Sequence, residues 1–564
     1  MSKSSSQVSN VNFQESRTSG QAKSVKEDSS TTPDFIYGGP FIKVDKDAKF
    51  LDTATPFNMP LQGTFKKSFA YYSLIERLPI ILTKVIDYLS REGSKIKSTH
   101  NATNEDIRNL IQYITKLKND LVTNKKYDLL TVDTPEAKRW NQWIGNAQSP
   151  YYFTNLWVFS ECYVYRRLRE GCELIKSLNK FDPFDEQKDK SFTNSLEPMC
   201  MVADKLFTML PLSDKDKRKQ DFITLIKLCL WANKCDLSLS LGEEVNLNAE
   251  GGSASATIVN PLQMIVDLKD MVLVDESAKI CDTICTKAEN MNKAIEAHPE
   301  EPQEVKSEEA QEPPPPEQIP CPAKMTLPQV TTFDIICDNA GYELFTDLCL
   351  AHFLIAQGIV GRVRFHLKSI PWFVSDVTPR DFRYVIKSCA DAKFNKKIPP
   401  EPKADAAEGE AESEPTIINS ENLNRLGHEW GNFVEDGVFV IMCDDFWTSP
   451  HVYKDMKKYD PELYRKLQFA VALLFKGDLN YRKLLNEMNC VPTAGFEPSL
   501  QGFTPAPVIA LRTVKADTIC GLPDGKWEEL NQIDDKWMET GNYGVIQFCD
   551  KADPLPGGDE FTKL

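Results

Sequence analysis

The sequence predicts an α/β protein: a mainly helical first part, then a mostly parallel sheet covered on both faces. Three observations predict it. Apolar residues recur at helical spacing up to about Lys234. Beyond residue 270 short apolar runs alternate with helical stretches, the pattern of parallel strands joined by crossover helices. Several of those runs end in charged residues, as strands do when they deliver side chains to a rim.

Residues 1–34 are rich in Ser, Thr, Lys and Gln and poor in large apolar groups, and read as a disordered tail. Residues 35–260 form the mainly helical region. "TFKKSFAYYSLIERLPIILTKVIDYLSRE" (64–92) reads as helix that Pro79 breaks or kinks. Thr103 and Asp106 form a capping-box pattern ahead of Ile107, Leu110, Ile114, Leu117 and Leu121. Another helix spans about 153–178. Residues 261–564 form the α/β/α core. "DMVLVDES" (270–277) is a short strand, and further strands are expected at 333–337, 363–367, 438–443, 470–475, 507–511 and 544–548. Helices are expected at 343–357 and 379–390.

Two acidic insertions interrupt this core, at 299–320 and 396–416. Residues 299–318 carry a net charge of −6 and residues 401–415 one of −5, together 11 of the chain's 16 excess negative charges. The rest of the 564-residue chain is only mildly acidic, and no basic patch for nucleic acid is present. The fifteen cysteines include no CxxC pair, which fits free thiols in a reducing compartment. The polar start "MSKSSSQVSN" has no apolar signal core, and no run of about twenty apolar residues exists. The expectation is a soluble monomer in the cytoplasm, with the nucleus as the alternative, and no membrane or nucleic-acid partner.

In open α/β sheets ligands bind beyond the carboxyl ends of the strands. The residues expected there are Asp338-Asn339, Asp376, Asp444-Asp445, Lys476-Gly477-Asp478 and Arg512 to Lys515. Acids and cations at one rim suit a divalent cation together with a phosphorylated ligand. Asp338, Asn339 and Asp376 offer hard oxygen donors, which Mg²⁺ or Mn²⁺ prefers. Gly341 permits the turn into a helix whose amides, from Glu343 on, aim at an anion. The plainer reading of a lone strand-end Asp is a helix cap, and Asp444-Asp445 is read that way. "ECYVYRRLRE" (161–170) reads as an internal ion-pair helix supporting the core, and His352 as a core histidine. A P-loop, a GxGxxG fingerprint after a strand and a GxSxG elbow are missing from the sequence, and "DNAGYE" lacks the Asp-x-Asp arrangement of phosphatases that form an aspartyl-phosphate. Attack by a metal-activated water on phosphorus is the remaining economical chemistry.

"CDNAGYELFTDL" (337–348), "IPWFVSDVT" (370–378), "FKGDLNYRKL" (475–484) and "LRTVKAD" (511–517) together resemble the DUF89 family of damage-control metal phosphatases. The RT-x-K form at Arg512-Thr513-Val514-Lys515 marks that family's third subfamily. "SFAYYSLIERLP", "ECYVYRRLRE", "DPFDEQK" and "LWANKCDLSLS" extend the resemblance through the helical half. It implies a helical N-terminal part packed on a three-layer α/β/α core. It implies that Asp338, Asn339 and Asp376 are catalytic and hold the metal, Mn²⁺ or a relative such as Co²⁺, Ni²⁺ or Mg²⁺. It implies that Asp338, Asn339, Lys476, Gly477, Asp478, Leu479, Asn480 and Lys515 hold a small phosphorylated metabolite, with fructose 1-phosphate and fructose 6-phosphate as the favoured type.

The same resemblance implies an alternative, S-adenosylmethionine-dependent methylation of protein glutamates, with Glu343 and Asp376 contacting the methyl donor and a protein as substrate. A third reading, from another class, is a non-catalytic protein that docks basic partners through its tail and acidic insertions. Deleting both insertions separates catalyst from docking protein: a catalyst keeps its turnover, and a docking protein loses its partner.

Overall fold

The computed structural model describes residues 50–233, 260–297, 330–398 and 416–555. The expected tail (1–34), the 299–320 insertion and residues 399–415 of the second insertion lie outside the described residues.

Nine strands are described: β1 Val272–Asp275, β2 Thr332–Ile336, β3 Arg362–His366, β4 Asn395–Ile398, β5 Thr416–Asn419, β6 Phe439–Met442, β7 Ala470–Lys476, β8 Val508–Thr513 and β9 Gly544–Cys549. Seven form one sheet in the order β1-β9-β8-β7-β2-β3-β6, parallel throughout except for the β8–β9 pair. β2, β7 and β8 are buried at every residue, which is why they read as continuous apolar runs rather than alternating ones. β4 and β5 make a separate antiparallel ladder at the two borders of the 396–416 insertion, where no strand was expected. "NKKI" carries two lysines and no alternation, so its pairing is decided by its partner rather than by its own pattern.

Side chains leave the sheet with a period of two. Ile509, Leu511 and Ile546 join one core, together with the helices Leu196–Phe207, Lys215–Ala232, Tyr342–Ala356, Pro379–Ala390 and Glu421–Glu435. Val508, Ala510 and Val545 join the opposite core, with residues from Phe446 to Trp537. These are the three layers. A third apolar cluster, from Leu61 to Phe184, builds the helical part, and Trp372, Phe373, Val374, Leu479 and Ala516 from the sheet's loops pack into it. Packing therefore divides the chain earlier than residue 260. Helices Leu196–Phe207 and Lys215–Ala232 are helical in pattern, but they serve as an outer layer of the core because that is where their apolar faces find the sheet.

The capping box closes as expected, with the Thr103 amide donating to Asp106 Oδ2 (2.8 Å) and the Asp106 amide to Thr103 Oγ1 (3.1 Å). Pro79 does not break its helix. It sits in the first turn of Leu78–Arg91, where a missing N–H costs little, and a π-turn at Ser73–Arg77 precedes it. The 161–170 stretch lies inside the Trp157–Glu173 helix and is an ion-pair helix as read: Arg166 meets Glu136 and Glu173, and Arg167 meets Glu170. Every described cysteine is a free thiol. None of the described helices is long and apolar enough to cross a membrane.

His352 is a core residue, 5% exposed, whose Nδ1 accepts from the Trp430 indole N–H (3.3 Å). Burial pushes its pKa down to about 4. The unfolded chain, with an ordinary histidine near 6.5, binds the proton more readily, so this contribution is present at neutral pH and is lost as pH falls from about 6.5 toward 4. A tenfold difference in proton affinity between the folded and unfolded chains is worth about 1.4 kcal/mol. Thermal denaturation followed from pH 7 to pH 4.5 should show a shallower acid decline for His352→Gln than for the parent chain; equal slopes would remove His352 from the acid response.

Candidate active site

β2 ends at Ile336, and the chain carries Asp338 and Asn339 out beyond the sheet's carboxyl edge. β3 ends at His366, and the following loop returns Asp376 to the same place. Asp376 was expected at the end of a strand of its own. It arrives instead on a loop that zips against the first one. Asn339 and Asp376 form an isolated antiparallel bridge, the Val377 amide donates to Asp338 O (2.8 Å), and the Ala340 amide donates to Ser375 O (2.8 Å). Main-chain hydrogen bonds thus bring together three residues from segments far apart in sequence.

The returning loop is strained. Phe373 (φ +43°) and Val374 (φ +69°) are both left-handed, and a β-branched residue seldom is. Packing holds them there: Phe373 stacks on Tyr165 at 4.7 Å, and Val374 is 1% exposed.

Asp338, Asn339 and Asp376 are all buried, so their charges and dipoles need partners. The Asn233 amide donates to Asp338 Oδ2 (2.7 Å) and to Glu343 Oε2 (2.8 Å). The Asn339 amide donates to the same two carboxylates (3.1 and 2.9 Å), while its Oδ1 accepts from Ser375 Oγ (2.6 Å). The Lys368 ammonium lies 3.0 Å from Asp376 Oδ2 and donates to Cys337 O (3.1 Å). Burial alone would lower the Lys368 pKa, but Asp376 and Asp338 outweigh it and hold it raised.

One small cavity of about 30 Å³ is shared by Asp338, Asp376, Asp478 and Leu479. Its cations are Lys515, Arg77 and Arg482, and its walls include Phe69, Trp157 and Phe373. Asp478 Oδ1 accepts from Arg512 Nε (2.7 Å) and from the Lys515 amide (3.3 Å), and Lys515 Nζ donates to Asn233 O (2.7 Å). Thr513 Oγ1 donates to Asn233 Oδ1 (2.6 Å). Val514 is buried and pairs through its main chain with Tyr543.

Several expected residues have other tasks. Lys476, expected to face substrate, is fully buried and paired with Asp347 (2.6 Å) and Glu343 (2.9 Å). Its strand position sends the side chain under the rim rather than over it. Burial would lower its pKa, yet those two carboxylates keep it well raised. Asn480 spends its amide on Lys476 O (2.8 Å), and its oxygen accepts from the Tyr453 hydroxyl. Glu343, the expected methyl-donor contact, is fully buried among Asn233, Asn339 and Lys476. Arg512 supports Asp478 from below. Asp444 and Asp445 do not cap with their side chains; they pair with Lys466 (3.5 Å) and Arg139 (2.5 Å).

Sequence reading missed Arg77, Arg482, Lys368 and Asn233 as site residues. Arg77, Arg482 and Asn233 lie within the quoted "SFAYYSLIERLP", "FKGDLNYRKL" and "LWANKCDLSLS", and Lys368 stands two residues beyond β3. Position in those segments was the available signal.

Two carboxylates and a carboxamide oxygen, anchored by main-chain bonds, fit a hard divalent cation by donor chemistry. Among the described residues no group of three or more His, Cys, Asp and Glu side chains stands at metal-binding spacing.

The mostly parallel sheet, wrapped on both faces and carrying a charged cavity beyond its strand ends, defines an α/β protein of the ligand-binding-rim type. The chain belongs to the family described as the damage-control phosphatase ARMT1-like domain, which its family model matches over residues 73–295 and 322–530. It is 33% identical to damage-control phosphatase ARMT1 of Danio rerio, over 86% of this chain and 96% of that one. It is 31% identical to damage-control phosphatase ARMT1 of Homo sapiens, over 86% and 98%. A crystal structure of a DUF89 family protein from Pyrococcus horikoshii covers 78% of this chain and 95% of its own at 14% identity, with a TM-score of 0.33, too low to carry an argument.

Gly477 sits where the Lys476–Asn480 turn crosses Asp338. Its φ is +82°, and a Cβ there would lie 1.8 Å from Asp338 Oδ2. Gly477→Ala should therefore displace the Asp338 carboxylate and reduce phosphate release by at least about 10²-fold, with a Tm loss smaller than that of a core truncation such as Leu474→Ala. Wild-type turnover in a folded Gly477→Ala protein would show that the close approach is dispensable.

Proposed function

We propose that this chain is a metal-dependent phosphatase of small phosphorylated metabolites, with sugar phosphates such as fructose 1-phosphate and fructose 6-phosphate as its substrate class. The observation that carries this reading is the shared cavity: Asp338, Asp376 and Asp478 meet Lys515, Arg77 and Arg482 in one space beyond the strand ends. Membership of the damage-control phosphatase family supports it.

Asp338, Asn339 and Asp376 would hold the divalent cation, Mn²⁺ first and Mg²⁺, Co²⁺ or Ni²⁺ as relatives. When bound, that ion supplies charge neutralisation at the phosphoryl oxygens and lowers the proton affinity of a neighbouring water. Lys515 is the cavity lysine, and its ammonium meets phosphate charge as a point charge does, without a demand for fork geometry. Asp478, fixed through Oδ1 by Arg512 and the Lys515 amide, is a rigid acceptor suited to a sugar hydroxyl. The aromatic walls Phe69, Trp157 and Phe373 exclude water and strengthen every charge–charge contact inside. The Asn233 amide orients Asp338, so the helical layer reaches directly into the chemistry.

Purified protein with Mn²⁺ should release phosphate from fructose 1-phosphate, and chelation should stop the release until metal is restored. Asp338→Ala should reduce turnover by at least about 10²-fold while its circular dichroism spectrum stays that of the parent. An active Asp338→Ala protein would end the metal assignment.

A further inference from the structure

Arg77 and Arg482 are the two guanidinium groups of the cavity, and neither stands there as a net positive charge. Arg77 comes from the π-turn ahead of Pro79; its Nη2 lies 2.5 Å from Glu161 Oε1, and its Nε donates to Ser73 Oγ (3.1 Å). Arg482 comes from the helix after β7. Its Nη1 donates to Glu161 Oε2 (2.7 Å), its Nη2 to Glu487 Oε1 (2.6 Å) and its Nε to Glu487 Oε2 (3.1 Å). The Arg482 guanidinium also lies 3.4 Å above the Trp157 ring. Glu161 and Glu487 are both fully buried, and neither lines the cavity. The two arginines therefore present donors to the cavity, and with the two glutamates behind them the four groups have a summed formal charge of zero.

We infer that Glu161 and Glu487, by cancelling the charge of Arg77 and Arg482, make the arginine pair a reader of an uncharged, hydroxyl-bearing part of the substrate and set the cavity against a second phosphate. The inference rests on the phosphatase reading above and sharpens it to monophosphates of neutral polyols. Three of the five N–H donors of Arg482 are committed to carboxylates, so the group is held in one orientation, with its remaining donors suited to hydroxyl oxygens. A second phosphate beside the pair would meet no net positive charge and would have two buried carboxylates directly behind the arginines, an arrangement that rejects by repulsion. The Glu161 carboxylate bridges both guanidinium groups, so it also fixes their spacing. It is a positioning residue.

The test compares fructose 1-phosphate with fructose 1,6-bisphosphate as probes, using the full chain. The wild-type protein should prefer the monophosphate in kcat/KM by at least about tenfold. Glu487→Gln and Glu161→Gln each add one unit of positive charge behind the pair. Each should move the ratio toward the bisphosphate by about tenfold, the order expected for one elementary charge several ångströms away. The half-saturating concentrations in thermal-shift titrations should move in the same direction. A purely structural role would lower Tm and the active fraction and leave the ratio unchanged. That result in either folded variant, or equal handling of both probes by the wild type, overturns the inference. If the wild type releases phosphate from neither probe, the phosphatase reading fails, and the thermal-shift ratios alone decide whether the pair discriminates by charge.

Discussion

Compensation of buried carboxylates at the carboxyl edge of the sheet is the constraint on which the rest depends. Asp338, Asp376, Glu343, Asp347, Glu161 and Glu487 are all withdrawn from water. Each unpartnered ion would cost several kcal/mol, and each is met instead by an amide, an ammonium or a guanidinium. Asn233 serves Asp338 and Glu343 at once, Lys368 serves Asp376, Lys476 serves Glu343 and Asp347, and Arg482 serves both Glu161 and Glu487. The partners come from the end of an outer-layer helix, from the ends of β3 and β7 and from the helix after β7, so the site exists only when the layers are assembled. Removing one partner leaves a buried charge, which makes the network a positional device more than a source of stability.

Close backbone approach is the second element. Gly477 lets the turn after β7 pass against the Asp338 carboxylate, and the Asn339–Asp376 bridge locks two loops at one level. The positive φ angles at Phe373 and Val374 are tolerated because the helical part packs over them, with Tyr165 stacked on Phe373. The helical part is therefore not an appendage. It supplies Arg77 and Trp157 to the cavity and holds the strained loop in place, while Asn233 comes from the end of the outer-layer helix Lys215–Ala232.

The strands were legible because a parallel sheet buried on both faces leaves apolar runs that solvent-facing segments do not have. β2, β7 and β8 are read at their positions within a residue or two, and the Thr103 capping box closes as written. β4 and β5 were not legible: neither segment has a pattern of its own, and each is a strand only because the other pairs with it. The sequence places Leu196–Phe207 and Lys215–Ala232 in the mainly helical region by their period, whereas packing sets them against the sheet. Period reports secondary structure and is silent about which neighbour buries the face.

The sequence by itself determined the layer pattern, the mostly parallel sheet and the strand ends at which Asp338, Asn339, Asp478 and Lys515 emerge, because burial imposes a period that survives in one dimension. Only the tertiary structure decided which charges face the cavity. Lys476 turned inward to two carboxylates, Asp376 came on a returning loop, and Arg77 and Arg482 arrived bound to Glu161. The direction of these charged side chains is set in large part by partners 84 to 321 residues away, and local pattern carries no record of them.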